Sequence, residues 1–227
     1  MIITIDGPVA TGKSAVAKKL AEAIGFIFFD TGAVYRTITY GILKKKIDFK
    51  NSQELASFLN DFEFDMRVVR RERTYFFEKE DITQKIRGAD VTKTVSEIAA
   101  IKFVRNKVAI VLKEVSHGVN AVFEGRDMGT VIFPDAPVKI FLTGRPEIRA
   151  KRRYEEIKNK YLDQFQDFDL EKCIQEINQR DLYDSTRENS PLRQAEDAYV
   201  IDTSDLTIDE VVKEILEYKD SLKTIDQ

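Results

Sequence analysis

The chain has 227 residues, 43% of them hydrophobic and 33% charged, with a formal net charge of -3. That length suits one large domain, or a core carrying an inserted subdomain. The slight acidity argues against a polynucleotide partner, which asks for a basic surface excess, while one cysteine (Cys173) and one histidine (His117) leave no means for an intrachain disulfide and little for a zinc site.

The opening "MIITID" lacks the basic segment and apolar core of a signal peptide, and no apolar run approaches the ~20 residues of a membrane span. A cytoplasmic protein without membrane contact is expected. Residues Ile2–Asp6 read as a short buried strand. Gly12–Gly25 read as a helix, with Val16, Leu20 and Ile24 on one stripe and Gly25 as its stop. Phe26–Phe29 form a second strand and Gly32–Lys46 a second helix. From Phe62 the pattern changes to alternation, with Phe62, Phe64, Met66 and Val68 on one face. With Arg73–Ile82 after a charged turn, this predicts a hairpin with one solvated face.

Ser96–Val115 read as a single helix capped by Ser96, ending near His117 and Gly118, where His117 serves as a cap rather than a catalyst. Cys173 is expected to be half-buried on a helix. Strands return at Asn120–Glu124 and Val138–Thr143. Arg145–Lys160 form a basic helix with Pro146 in the first turn, and Asp169–Arg187 start as a helix. Ala198–Asp202 are the last strand. Thr207–Leu222 are the last helix, opened by a capping box from Thr207 to Glu210. Short apolar strands alternating with helices predict an α/β fold: a P-loop NTPase-type parallel sheet core with helices on both faces.

The motif "GPVATGKS" spans Gly7, Pro8, Val9, Ala10, Thr11, Gly12, Lys13 and Ser14. It matches the phosphate-binding pattern in full and lies between a strand and a helix, where that pattern works. The glycines let the backbone turn its N–H groups inward around a phosphate, and the helix start adds free N–H groups and a positive dipole end. Lys13 reaches the outer phosphates, and Ser14 offers a hydroxyl to Mg²⁺. ATP with Mg²⁺ is the expected ligand. A GTPase would carry a guanine-reading Asn-Lys-x-Asp, but "NKVA" (Asn106–Ala109) lacks the Asp. Glu124, at the end of "AVF", either orients Mg²⁺ through water or is a strand-end carboxylate facing solvent.

Arginines gather where the pattern places the carboxyl ends of strands, the ligand side of an open parallel sheet: Arg36, Arg126, Arg180 and Arg187, with Arg105 on the long helix. Their planar forks suit phosphate. Two anion sites point to phosphoryl transfer, with Lys13, Arg126, Arg180 and Arg187 as the expected catalytic residues. An acceptor phosphate needs no general base, in keeping with the lack of a histidine candidate. The basic helix and the polar loop Tyr161–Asp169 would form a lid that excludes water. A UMP kinase, and a P-loop protein that binds ATP without turnover, are the competing readings.

The motifs "DTGAVYR", "DITQKIR", "SEIAAIKFVR", "EGRDMGTVIFPDAPVKIFL", "RAKRR" and "QRDLYDSTRENSPL" resemble the bacterial cytidylate kinases, within the nucleoside monophosphate kinases, over nearly the whole chain. The resemblance implies transfer of the ATP γ-phosphoryl to CMP or dCMP; a monomer is expected. It implies a single kinase domain with core segments 1–57, 96–145 and 188–227, a monophosphate-binding insert at about 58–95 and a lid at about 146–187. It assigns Thr31 and Arg36 to the acceptor nucleotide, and Ser96, Arg105 and Asp127 to the cytosine edge. Arg126, Arg36 and Arg187 match phosphate ligands; Arg180 and Asp184 match residues near the sugar and phosphate. Thr31 stands where many relatives have Ser, and Tyr183 where some have Arg.

Overall fold

In a computed structural model, residues 1–69, 72–160 and 169–225 are described. The chain forms two compact units, one of residues 1–29 with 118–227 and one of residues 30–117.

The first unit is built on the five-stranded sheet. Its strands are β1 (Ile2–Asp6), β2 (Ile27–Asp30), β6 (Ala121–Gly125), β7 (Val138–Thr143) and β8 (Tyr199–Asp202), in the order β2-β6-β1-β7-β8. β1 runs parallel to β6 and β7, and β7 parallel to β8. The strands are short and apolar because their neighbours bury them. Ile3 and Ile5 of β1, Val122 of β6, and Val138, Ile140 and Leu142 of β7 alternate onto one face. There they meet Val16 and Leu20 of α1 (Lys13–Ile24) and Val211 and Ile215 of α8 (Ile208–Ile225). Each such isoleucine or leucine, fully buried, contributes about 1.5–3 kcal/mol.

The register sets Asp6 opposite Gly125 and Phe141, so β1 and β6 end level with one another and β7 runs two residues further. The loop at residues 7–12 and the turn after Gly125 therefore leave the same edge. α1 stops as expected: Gly25 is left-handed (φ 69°) and its N–H returns to the Ala21 carbonyl. The capping box is also present, with Glu210 accepting from the Thr207 N–H at 2.8 Å and Thr207 Oγ1 accepting from the Glu210 N–H at 3.3 Å. α6 (Pro146–Lys160) and α7 (Leu170–Thr186) complete the unit, and α7 runs on well past its expected start. Cys173 is fully buried between α6 and α7 rather than half-buried, its thiol 3.4 Å from the Ala150 carbonyl. Of the expected lid loop, residues 161–168 lie outside the described residues; Asp169 caps α7 by accepting from the Lys172 N–H at 2.8 Å.

The second unit holds α2 (Thr31–Lys45), α3 (Ser52–Asn60), β3 (Asp65–Val69), β4 (Glu72–Phe77), β5 (Glu80–Asp81), α4 (Ala89–Ala100) and α5 (Lys102–Ser116). The expected hairpin is a three-stranded antiparallel sheet, because Glu80–Asp81 fold back onto Phe76–Phe77. α3 was not anticipated, although its signals are local. Asn51 accepts from the Gln53 and Glu54 N–H groups, and Leu55, Phe58 and Leu59 are buried at helical spacing. Phe58, Phe62 and Phe77 pack with centroids 6.1–6.4 Å apart.

The single helix expected over Ser96–Val115 is two. Ser96 lies inside α4 and caps nothing; the chain breaks at Ile101, which is extended (φ -72°, ψ 125°). The Arg105 guanidinium donates to the Ala99 carbonyl at 2.9 Å, satisfying one of the acceptors left over where α4 ends. His117 caps α5 as expected, ahead of Gly118 at φ 72°. No helix among the described residues is long and apolar enough to cross a membrane.

Candidate active site

The loop from Gly7 to Gly12 has the backbone that phosphate binding needs. Gly7 sits at φ 148°, Ala10 at φ 59° and Gly12 at φ 87°, and Gly12 caps α1. Alternation of right- and left-handed residues turns successive N–H groups into one concavity. At Gly7 the requirement is also steric, since a Cβ there would lie 2.1 Å from the Leu142 carbonyl oxygen. Gly7→Ala should therefore push the loop off β7. A displacement near 1 Å costs about 10²-fold in catalytic efficiency, so kcat/KM for ATP should fall by roughly that factor in steady-state assays.

Lys13 is buried, its Nζ 2.5 Å from the Pro8 carbonyl and 3.4 Å from Thr11 Oγ1. Burial, reinforced by the nearby Arg126 charge, pushes its ammonium down to about 7. A polyphosphate would reverse that by supplying negative charge. Ser14 Oγ donates to Glu124 Oε1 at 2.7 Å. Glu124 is 7% exposed, so it does not face solvent. A hydroxyl and a buried carboxylate in contact, both hard oxygen donors, fit the sparse protein ligation that Mg²⁺ takes beside phosphates.

Asp6, the last residue of β1, was not singled out from the sequence. Its two oxygens accept from the Met128 and Gly129 N–H groups at 2.9 and 2.7 Å. Burial pushes its carboxyl up to about 6 despite those bonds. Asp6 thereby ties the end of β1 to the turn that follows Asp127.

The turn directly after β6 carries the neighbours Arg126 and Asp127, and each has its own partner. Arg126 Nε donates to Asp184 Oδ2 at 3.0 Å. Asp127, 2% exposed, lies 3.9 Å from Arg187 Nη2. Arg187 also lies 3.6 Å from Asp184 and donates twice to the Ser190 carbonyl, at 2.9 and 2.6 Å. Arg180 is on the same helix as Asp184; burial, with the Arg126 charge, lowers its pKa, and its Nε has no hydrogen-bond partner among the described residues. The first unit thus brings together Lys13, Ser14 and Glu124 at the loop, and Arg126, Asp127, Asp184 and Arg187 at the turn.

Thr31, Arg36, Ser96 and Arg105 belong to the second unit. Thr31 is buried at the start of α2, where Asp30 caps the helix by accepting from the Ala33 N–H at 3.2 Å. Arg36 donates to the Ile86 carbonyl at 3.1 Å and Thr92 Oγ1 at 2.9 Å. Arg105 is buried over the Tyr35 ring, 5.3 Å from its centroid. Ser96 is half-buried on α4.

A profile of the cytidylate kinase family matches residues 3–221. The chain belongs to the cytidylate kinase family. It is 62% identical over 224 residues to the cytidylate kinase of Protochlamydia amoebophila (strain UWE25), covering 99% of this chain and 98% of that protein. It is 40% identical to the cytidylate kinase of Caldicellulosiruptor saccharolyticus over 95% of this chain and 93% of the relative. Among solved structures, a shikimate kinase from Bacteroides thetaiotaomicron superposes with a TM-score of 0.50 at 15% identity, covering 97% of this chain and 98% of that one. That likeness concerns the α/β fold alone. As a cytidylate kinase family member the chain is a phosphotransferase, a kinase acting on nucleotides.

Proposed function

We propose that the enzyme moves the γ-phosphoryl group of ATP onto CMP, with dCMP as a second acceptor, in pyrimidine nucleotide metabolism. The observation that carries this reading is the near-full-length likeness to a cytidylate kinase at 62% identity. The site chemistry agrees with it. Loop N–H groups and Lys13 hold the donor phosphates. Ser14 directly, and Glu124 through water, would hold Mg²⁺, which supplies charge neutralisation to the polyphosphate. A phosphate oxygen of CMP attacks the γ-phosphorus, and the bond from that phosphorus to the β–γ bridging oxygen breaks, leaving ADP and CDP. Arg126, Arg180 and Arg187 stabilise the negative charge spread over the transferring group.

Asp127 accepts from the exocyclic amine of cytosine, where uracil presents only an acceptor. Ser96 and Arg105 complete the contacts to the base. Thr31, Arg36 and Asp184 line the rest of the acceptor nucleotide. The insert at about 58–95 serves the acceptor, and the region at about 146–187 acts as a lid that keeps water from the donor. The enzyme works as a cytoplasmic monomer. The donor half is tested by pairing ADP and CDP yields with and without EDTA. Equal yields that vanish on chelation are expected; CDP formation unaffected by EDTA would refute the metal assignment.

A further inference from the structure

We propose that Asp181 is a positioning residue for the donor nucleotide: with Arg149 it clamps the peptide groups of Val9 and so fixes the phosphate loop in its binding shape. The proposal rests on the donor half of the reading above.

The geometry is specific to one residue of the loop. The Val9 N–H donates to Asp181 Oδ1 at 2.9 Å, and Arg149 Nη1 donates to the Val9 carbonyl at 2.9 Å. Arg149 also pairs with Asp181 and sends its Nε to the Gly144 carbonyl at 2.9 Å, which anchors the pair just past the end of β7. Arg149 is 5% exposed, so these contacts are shielded from water. Val9 and Ala10 further pack against Ala150, Cys173 and Ile177, the apolar seam of α6 and α7.

Both backbone groups of Val9 are therefore spent on the protein, and its N–H is turned towards α7. That makes Val9 the fixed point from which the chain turns through Ala10, a non-glycine residue held at φ 59°. Such a conformation persists only where the surroundings hold it. The residues after it supply the N–H groups that meet phosphate. One turn further along α7, Asp184 holds Arg126, so the same helix face positions the loop and the acceptor arginine.

The test is titration of MgATP at constant pH into the full-length protein without acceptor, for wild type, Asp181→Asn and Asp181→Ala, with KM for CMP and Tm measured alongside. Asp181→Asn keeps an acceptor for the Val9 N–H and loses the ion pair. It should weaken MgATP binding by on the order of tenfold, the size of a lost charge-assisted hydrogen bond. It should leave KM for CMP within about twofold. Asp181→Ala should weaken binding further; if it does not fold, Asp181→Asn decides alone. Unchanged MgATP affinity in a folded Asp181→Asn protein would overturn the proposal. So would a parallel loss of Tm, MgATP affinity and KM for CMP, which is the signature of a merely structural role. If wild type binds MgATP and phosphorylates no nucleotide, the proposed acceptor chemistry fails while the titration still reads the clamp.

Discussion

Lys13→Ala is expected to give a folded protein with kcat lower by roughly 10²–10³-fold for every acceptor, the usual loss when one preorganised charge is removed from a transferring group. The fold should survive because Lys13 does not anchor it. Its ammonium is buried against the Pro8 carbonyl, and burial disfavours its charge. The pH dependence sharpens the test. In the free protein Lys13 loses its proton as pH rises through about 7. A bound polyphosphate favours the charged form, so binding takes up a proton above that pH. MgATP affinity of the wild type should then decline by up to about tenfold per pH unit above 7, and the decline should be absent in Lys13→Ala. Isothermal titration at several pH values reads both. A mutant that keeps the wild-type slope would place the titrating group elsewhere.

Asp127→Ala should cut kcat/KM for CMP by roughly 10- to 150-fold, the equivalent of the ~1.5–3 kcal/mol carried by a hydrogen bond to a charged group. MgATP affinity should hold. Arg187 would not be stranded by the change, since Asp184 and the Ser190 carbonyl remain beside it. The Asp127 carbonyl, which accepts from Val131 and Ile132, is untouched. Steady-state kinetics with CMP and a separate MgATP titration check the two halves. Collapse of MgATP binding would move Asp127 to the metal side of the site.

The phosphate loop was legible in the sequence because its residues act through backbone conformation. Gly7 and Gly12 sit where a side chain would clash with Leu142 or require a left-handed turn, so the pattern states its own geometry. The capping box at Thr207 was legible for the same local reason. The break between α4 and α5 was not. Ile98, Ile101, Val104 and Val108 keep a helical apolar spacing straight across it, so periodicity carries no mark of the interruption. The mark is a side-chain contact, Arg105 to the Ala99 carbonyl, which spacing does not reveal.

The partners of the adjacent charges Arg126 and Asp127 were equally hidden. Side by side they suggest a pair, yet they reach Asp184 and Arg187, about sixty residues on, because α7 returns to the end of β6. Asp6 and Asp181 escaped notice because each acts on backbone N–H groups far along the chain, at Met128, Gly129 and Val9. Asp181 did leave one trace: it stands three residues before Asp184, the spacing that puts both on one face of α7.

The most direct test of the central claim is an acceptor panel with ATP and Mg²⁺ held constant and CMP, dCMP, UMP, AMP and GMP compared by coupled ADP release. The highest kcat/KM is expected for CMP, with dCMP accepted and UMP lower by roughly 5- to 150-fold, the cost of leaving buried polar groups unpaired at about 1–3 kcal/mol. UMP used as well as CMP, or no ADP formed with any acceptor, would contradict it.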